Sequence, residues 1–442
     1  MYDILTFSRL RIVLLISQLL WPFPAIADLT LLKTNTNLHG VYLFEDNNTS
    51  VYRLQFVFIA GEADISGPEG VSHYLEHLMY AHANRIGDNK FHGRTANATA
   101  NGVNTIYFVN GQRSELDNMF SFGKNLLTPP DLDVKFMRDE RKVVLREYDL
   151  KIGDYPDRRS TNETWRLLMG ENTAGRSAIG TPASIMSLSV EGALKYHQQF
   201  YHPANMVLLI SGPISAKNAV ERVNNTFAGL PSGLSNPQSW RQKPGAAPFD
   251  SRRYVRDRNV RSKAVIYHSL ADWTLGGSKI DDYYTSKFVE ALFSSSLEGG
   301  LSRPLKTDQF VVSSFRSRVL IPLDGHVVFW FQGSLDEGIT SDIAIASIRA
   351  ALADIAVSGI SEKSLERIRR RILKKESRLR DEQKHAFNRA VNSLMLGFEP
   401  NSYEDHVRRI NAVSKANIDS LLKAIGSASR TISTSLDKGT GQ

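Results

Sequence analysis

The stretch His73-Tyr74-Leu75-Glu76-His77 constrains this chain more than any other, because it puts three reactive side chains into one helical pattern. Apolar residues recur around it at helical spacing, namely Val71, Leu75, Leu78 and Met79. This periodicity predicts a helix from Val71 to about His82, with Ser66 or Ser72 as its start signal. Residues four apart share one face of a helix, so both imidazoles can point at one metal ion with Glu76 beside them.

The complete absence of cysteine narrows the possible metal chemistry. None occurs among the 442 residues, which excludes disulfides, thiolate catalysis and zinc held by thiolates. A metal site must therefore use histidine and carboxylate side chains. Zinc accepts both, and a catalytic zinc site usually combines three protein ligands with an open position for water. One further ligand is needed beyond the two histidines.

A charged, periodic segment from Asp133 to Leu150 predicts a long helix that offers two candidates for this ligand. Glu140 and Glu147 lie nearly two turns apart on one face of such a helix, so both can be aimed at one site. Ordinary ion pairs with Arg141 and Arg146 are the alternative interpretation. The spacing alone leaves the choice between the two glutamates open.

Other segments indicate an alternation of strands and helices. The pattern predicts strands over 51–59, 105–110 and 206–210 and a helix over 115–127. Residues 230–250 are rich in Pro, Gly, Ser and Ala and lack an apolar period, which is typical of a linker. The linker divides the chain into two comparable halves, and we find no internal sequence repeat between them.

The first 27 residues have the three parts of a secretory signal: basic residues, an apolar run from Ile12 to Leu20, and Ala25-Ile26-Ala27. A membrane anchor is the competing interpretation. The run is shorter than the roughly 20 apolar residues of a spanning helix, and Pro22 and Pro24 interrupt it. We expect cleavage after Ala27, a periplasmic or secreted protein, and no stable membrane span after cleavage.

The formal charge of +8 does not require a nucleic-acid partner. Basic residues crowd two segments, 252–263 and 367–380. The second segment interleaves them with apolar residues at helical spacing, which is typical of a solvated helix face. We therefore expect no nucleic acid among the partners.

Together these motifs resemble the pitrilysin and insulinase family, which includes the mitochondrial processing peptidase. The resemblance depends on the HxxEH order of residues 73–77, the reverse of the commoner HExxH, and on the acidic segment from Glu140 to Glu147. Further matches are Asn97-Ala98 with Thr105, Gly180-Thr181-Pro182, the segment from Tyr201 to Met206, and Gly299-Gly300-Leu301-Ser302. The similarity is good from about residue 40 to 215 and fades in the second half.

The resemblance implies an α+β fold of two related domains, each an antiparallel sheet covered by helices, forming half of a clam-like chamber. In this reading, residues 28–229 are an N-terminal zinc-binding peptidase domain and 230–250 are a linker. Residues 251–442 are then a C-terminal domain of the inactive, peptidase-like type.

The implied activity is that of a zinc-dependent endopeptidase that hydrolyses peptides or unfolded segments, with one Zn²⁺ per chain. By resemblance, His73, His77 and Glu147 are the metal ligands. Glu140 is a carboxylate that orients a histidine, and Glu76 activates the attacking water.

Substrate binding and partners follow from the same resemblance. Asn97 lies on the strand beside the cleft, where an amide suits a peptide backbone. Catalytically complete members carry an Arg and a Tyr in the second half, where this chain has Leu305 and Val312; Arg303 or Lys306 is a weak substitute. We therefore expect a homodimer or a heterodimer with a related chain. A non-catalytic or metal-binding scaffold subunit of a peptidase-like assembly is the alternative function.

Overall fold

The structure is a computed structural model that describes residues 28–65, 67–85, 91, 95–170, 172–235, 241, 249–380 and 382–439. The predicted signal segment, 1–27, lies outside the described residues, as do Ser66 and most of the predicted linker. The linker prediction ends at 250, whereas the first strand of the second half begins at Phe249.

Eleven strands and thirteen helices form two halves. The first half contains β1 (Leu29–Leu31), β2 (Gly40–Glu45), β3 (Tyr52–Phe58), α1 (Val71–Arg85), β4 (Ala96–Ala100), β5 (Thr105–Gly111), α2 (Leu116–Asn125), α3 (Val134–Tyr148), α4 (Pro156–Met169), α5 (Pro182–Ser187), α6 (Val190–Phe200), β6 (Met206–Gly212) and α7 (Ala216–Phe227). The second half contains β7 (Phe249–Asp257), β8 (Ala264–Asp272), α8 (Lys279–Phe293), β9 (Val312–Leu320), β10 (His326–Leu335), α9 (Ser341–Ser358), α10 (Glu362–Arg378), α11 (Gln383–Met395), α12 (Tyr403–Ala412), α13 (Lys415–Gly426) and β11 (Arg430–Lys438). These counts cover the described residues and omit the short 3-10 and π-helical turns.

The predicted elements are confirmed with small shifts at their ends. The three predicted strands are β3, β5 and β6, and the predicted helices are α1, α2 and α3. Ser72 lies inside α1 rather than at its start. Asp133 caps α3 by accepting a hydrogen bond from the Phe136 N–H at 3.0 Å. A π-helical segment, Asp149–Gly153, continues α3 directly.

The two sheets share one topology. The strand order is β1-β2-β6-β3-β5-β4 in the first sheet and β7-β11-β8-β10-β9 in the second. Each sheet is antiparallel except for one parallel pair, β2 with β6 and β7 with β11. After β1, the strands correspond one by one along both sheets, so the halves repeat in structure although no repeat is visible in the sequence.

Each sheet carries the helices of its own half on one face. In the first half, α1, α2, α6 and α7 cover the sheet around Phe56, Phe58 and Leu208. In the second half, α8, α9 and α13 do the same around Val265, Val327 and Phe329. These side chains are almost completely buried, and each contributes about 1.5–3 kcal/mol relative to an exposed position.

Each half also supplies one helix to the other face of the opposite sheet. Helix α11 packs Phe387 and Val391 onto the first sheet. Helix α4 packs Leu168 and Met169 onto the second sheet. This reciprocal packing fixes the two halves against one another and covers both sheets on both faces.

Within the described part of the chain, no single helix is long and apolar enough to cross a membrane. Helices α9 and α10 meet the criteria of length and composition only as a pair, with a bend of 106° between them.

Candidate metal centre

The site forms where α1 meets α3. The apolar side of α1, with Tyr74, Leu75 and Leu78, is buried in the first core. The Tyr74 hydroxyl donates to the carbonyl oxygen of Met137 on α3 at 2.5 Å, which joins the two helices. The opposite side of α1 therefore turns His73, Glu76 and His77 toward α3.

Four predicted site residues come together here. Glu147 Oε2 lies 3.2 Å from His77 Nε2 and 3.5 Å from His73 Nε2. Glu76 Oε2 lies 3.6 Å from His73 Nε2. Donor atoms of His73, Glu76 and His77 all lie within 4.8 Å of one another. Two imidazole nitrogens and a carboxylate oxygen thus converge, which is a donor set that zinc accepts.

Glu140 contacts the far side of one imidazole. Its Oε1 lies 2.8 Å from His77 Nδ1, so this carboxylate fixes the ring and directs Nε2 toward Glu147. The Nδ1 atom of His73 is buried and has no hydrogen-bond partner among the described residues. The two histidines are therefore held by different surroundings.

The charges in the site are strongly coupled. Burial, assisted by His77, lowers the pKa of His73 to about 4, so His73 is neutral at neutral pH, the form that binds a metal. Burial disfavours the charged form of His77, but hydrogen bonds with Glu140 and Glu147 outweigh it and raise its pKa to about 10. The hydrogen bond from His77 lowers the pKa of Glu147 to about 2. The site therefore favours positive charge between its carboxylates.

Glu76 differs from the other acids of the site. Its side chain is buried, and burial raises its pKa to about 7. A carboxylate with this pKa is suited to accept and return a proton near neutral pH.

Asn97 lies on β4, the edge strand of the first sheet, which packs beside α1. The Asn110 N–H donates to Thr95 O at 2.6 Å, and the Asn101 N–H donates to Asn104 O at 3.0 Å. Since hydrogen bonding alternates along an antiparallel strand, the backbone N–H and C=O groups of residues 95, 97, 99 and 101 face β5. Backbone groups at 96, 98 and 100 consequently face outward. Asn97 Oδ1 accepts one of them, the Ala98 N–H, at 2.9 Å.

Sequence reasoning missed two neighbours of the site. Lys151 Nζ forms an ion pair with Glu147 Oε1, and its spacing four residues after Glu147 was an available signal. Glu62 is completely buried and accepts hydrogen bonds from the Ser72 hydroxyl at 2.7 Å and from Arg176 at 2.8 Å. No local pattern indicated this contact, which secures the start of α1.

At the two positions where the family pattern has an Arg and a Tyr, the second half has apolar residues instead. Leu305 and Val312 are both fully buried in the second core. Arg303 is exposed and lies 3.3 Å from Asp308. Lys306 is exposed as well.

Comparisons with known proteins agree with this fold and identify the family. The family model "Insulinase (Peptidase family M16)" matches residues 46–180, and the model "Peptidase M16 inactive domain" matches residues 187–372. The two sheets and the paired family models define a peptidase-type α+β protein related to zinc proteases. The chain belongs to the pitrilysin and insulinase family of peptidases, as its motifs predicted.

The sequence relatives are distant. A protein described as an uncharacterized zinc protease, YmfH of Bacillus subtilis, is 22% identical over 225 residues, which is 48% of this chain and 46% of YmfH. The matched segment thus spans about half the length of YmfH. It spans only 19% of another relative, the probable zinc protease PqqL of Escherichia coli, at 24% identity.

Solved structures establish the fold alone. The first half of the periplasmic protease PqqL from Escherichia coli matches with a TM-score of 0.75 and 15% identity, covering 92% of both chains. A protease from Helicobacter pylori matches equally well, with a TM-score of 0.75, 15% identity and coverage of 93% of this chain and 100% of its own. The expected class, two related α+β domains, is confirmed.

Proposed function

We propose that this chain is a zinc-dependent endopeptidase that hydrolyses peptides or unfolded segments. The observation that carries the proposal is the convergence of His73 Nε2 and His77 Nε2 on Glu147 Oε2, at 3.5 Å and 3.2 Å. Glu76 lies beside these atoms, with its Oε2 at 3.6 Å from His73 Nε2, but it is not the carboxylate on which the two imidazoles converge. Those three converging atoms would hold one zinc ion per chain.

The roles of the residues follow from their surroundings. A zinc ion bound there supplies a Lewis acid that polarises a peptide carbonyl and makes water more acidic. Glu76 takes the proton of the attacking water and returns it to the leaving amine. Glu140 holds the ring of His77 in place, which preserves the orientation of its Nε2.

The edge strand β4 would bind the peptide backbone. Because β4 packs beside α1, a strand added to its outward-facing groups at Ala98 and Ala100 would pass near the helix that carries Glu76. Asn97 would release the Ala98 N–H to a substrate carbonyl or hold the backbone with its own amide. Recognition through backbone groups implies broad sequence tolerance.

The proposal extends to the whole chain. We place the zinc-binding domain at residues 28–229, the linker at 230–248, and the domain without a metal motif from Phe249 onward, where β7 begins. Export to the periplasm or the medium, after cleavage of residues 1–27, agrees with the description of PqqL as periplasmic. A second chain, identical or related, would complete the enclosure around a peptide.

The test compares the mature chain with Glu76→Gln and with the exposed control Glu191→Gln. Cleavage of an unfolded peptide should be abolished in Glu76→Gln and unchanged in the control, with zinc content equal in all three. Substantial cleavage by Glu76→Gln would refute the role of this acid. Zinc binding without cleavage by any of the proteins, alone or paired, would instead favour the scaffold function.

A further inference from the structure

A basic pocket lies in the second half, away from the metal centre. Its volume is about 470 Å³, and helices α8, α10, α11 and α12 surround it. Four cationic side chains line it: Lys287, Arg371, Lys375 and Arg389. Because these residues come from three different helices, only the tertiary fold brings them together.

Arg389 is the unusual member of this group. Its side chain is only 8% exposed, and its Nε and Nη1 atoms have no hydrogen-bond partner among the described residues. Its nearest acid is Asp28, at 3.8 Å from Nη2. A buried guanidinium with unused donors is costly unless an anion or water completes its hydrogen bonds.

The acids of the pocket already have partners. Glu376 Oε2 accepts hydrogen bonds from His385 at 2.8 Å and His406 at 3.0 Å. Glu290 Oε1 lies 2.8 Å from Arg318 Nη1, and Glu290 Oε2 lies 3.5 Å from Lys287 Nζ.

The remaining charge is positive. Arg371 and Lys375 are exposed and have no acidic partner within the described part of the chain. The pocket therefore keeps an excess of positive charge that a carboxylate would match.

A second cavity adjoins this pocket and extends to the turn after β4. It measures about 490 Å³, has a mainly apolar lining, and includes the turn Asn101–Val103 that follows β4. Tyr283, Lys287 and Asn392 line both cavities, so the two meet in a groove between α8 and α11. Because Asn101 lines the second cavity at the end of β4, a chain paired with β4 and continued past Asn101 would extend toward this groove.

The close approach of two backbone segments shapes the entrance. A Cβ atom on Gly61 would lie 2.4 Å from Val103 N and 2.6 Å from Asn101 O, so only glycine allows the loop before α1 to pack on the turn. The turn is thereby fixed between the metal centre and the groove.

We propose that the groove between α8 and α11 binds the continuation of a peptide substrate, and that Arg389, Arg371 and Lys375 bind a carboxylate on it. The inference rests on the proposed function for its ligand class. The carboxylate is either an acidic side chain or the free C-terminus, since both present the same group. Binding of this carboxylate makes the groove between α8 and α11 selective for peptides that present one there.

Binding is measured without turnover in the Glu76→Gln background, by fluorescence anisotropy at low ionic strength. The probes are four labelled extended peptides. They carry either Asp or Asn at one position beyond the segment that pairs with β4, and each of these two sequences is made with a free C-terminal acid and with a C-terminal amide. The test variant is Arg371→Gln with Lys375→Gln. The matched control is Arg367→Gln with Lys374→Gln, two exposed residues of α10 that do not line the pocket.

We expect a peptide carboxylate to strengthen binding about tenfold relative to its amide counterpart, a preference lost in the test variant and kept in the control. A preference that follows the Asp identifies a side-chain ligand, and one that follows the C-terminus identifies the terminal carboxylate. Equal affinities for acid and amide, a preference that survives in the test variant, or no peptide binding would overturn the inference.

The wild-type chain separates this inference from the proposed function. Cleavage by the zinc-loaded protein without any preference for the carboxylate refutes the pocket and leaves the peptidase function intact. Carboxylate-dependent binding together with a lack of cleavage, both alone and with a related partner chain, supports the pocket and refutes the peptidase function.

Discussion

Glu140 Oε1 lies 2.8 Å from Nδ1 of His77, on the opposite side of the imidazole from the Nε2 atom that faces Glu147. A carboxylate in this position accepts a hydrogen bond from Nδ1–H, so that it is Nε2 that loses its proton and offers its lone pair when a metal binds. Glu140 and Glu147, which the sequence spacing could not distinguish, therefore occupy different places. Glu147 faces both histidines, and Glu140 contacts only one.

This difference predicts unequal effects on zinc retention. Glu147→Gln should lose most bound zinc, because it removes a charged donor, whereas Glu140→Gln should weaken affinity by about 10- to 100-fold. Asp139→Asn, on the surface of α3, is the matched control and should retain zinc. Metal content after dialysis against a graded chelator measures all three. The reverse ranking would exchange the roles of the two glutamates.

The reciprocal helix packing predicts a large loss of stability from a residue far from the site. Phe387 on α11 is 2% exposed and packs on the first sheet, so Phe387→Ala should lower the free energy of unfolding by about 3–5 kcal/mol. Lys384→Ala, exposed on the same helix, should change it by less than about 0.5 kcal/mol. Urea denaturation compares the two. Equal midpoints would show that α11 does not stabilise the first half.

The amount that the sequence could predict depends on how local each feature is. His73, Glu76 and His77 lie within about one helical turn, and Glu147 shares a helix with Glu140, so periodicity suggested these candidates and the family resemblance chose between the two glutamates. The packing of Phe387 on the opposite sheet and the pocket that Arg389 and Lys375 both line involve residues from different elements, and no spacing rule reports them.

The structural repeat was hidden for a related reason. Helix α8 follows β8 as α1 follows β3, yet its sequence has no HxxEH. A strand order is preserved by alternating apolar residues of any identity, so the topology persists while the residues change. A motif was therefore available in the first half, whereas the repeated topology of the second half could be recognised only in three dimensions.

The ion cluster around Glu376 predicts a specific dependence of stability on pH. Burial disfavours its charge, but hydrogen bonds from His406 and His385 outweigh this and lower its pKa from 4.5 to about 2. The unfolded chain then binds the proton more readily than the folded chain. The stabilisation is present above pH 4.5 and is lost as the pH falls toward about 2.

Glu376→Gln tests this dependence, because it preserves shape and removes the titration. The free energy of unfolding should fall less steeply between pH 4.5 and about 2 in the variant than in the parent. The exposed control Glu366→Gln should keep the slope of the parent. Parallel curves for parent and Glu376→Gln would contradict the contribution of this cluster.

The last prediction concerns a second chain that completes the substrate site. Leu305 and Val312 occupy the positions where the family resemblance expects an Arg and a Tyr, and both side chains are fully buried in the second core. Neither can reach a substrate without unfolding that core.

A homodimer would repeat this deficit, because each copy contributes the same Leu305 and Val312. Loss of such positioning groups can reduce a rate by about a hundredfold. We therefore expect the mature chain alone to bind zinc and cleave an unfolded peptide slowly. A related chain that carries Arg and Tyr at these positions should raise turnover by about the same factor, with no change in zinc content.

The measurement compares peptide cleavage by the isolated chain with cleavage during a titration with the partner chain. Sedimentation counts the chains in each complex. Full activity from the isolated chain, unchanged by the partner, would contradict the heterodimer. It would leave exposed Arg303 and Lys306 as the local substrate-binding cations, and Arg303→Gln with Lys306→Gln should then remove that activity.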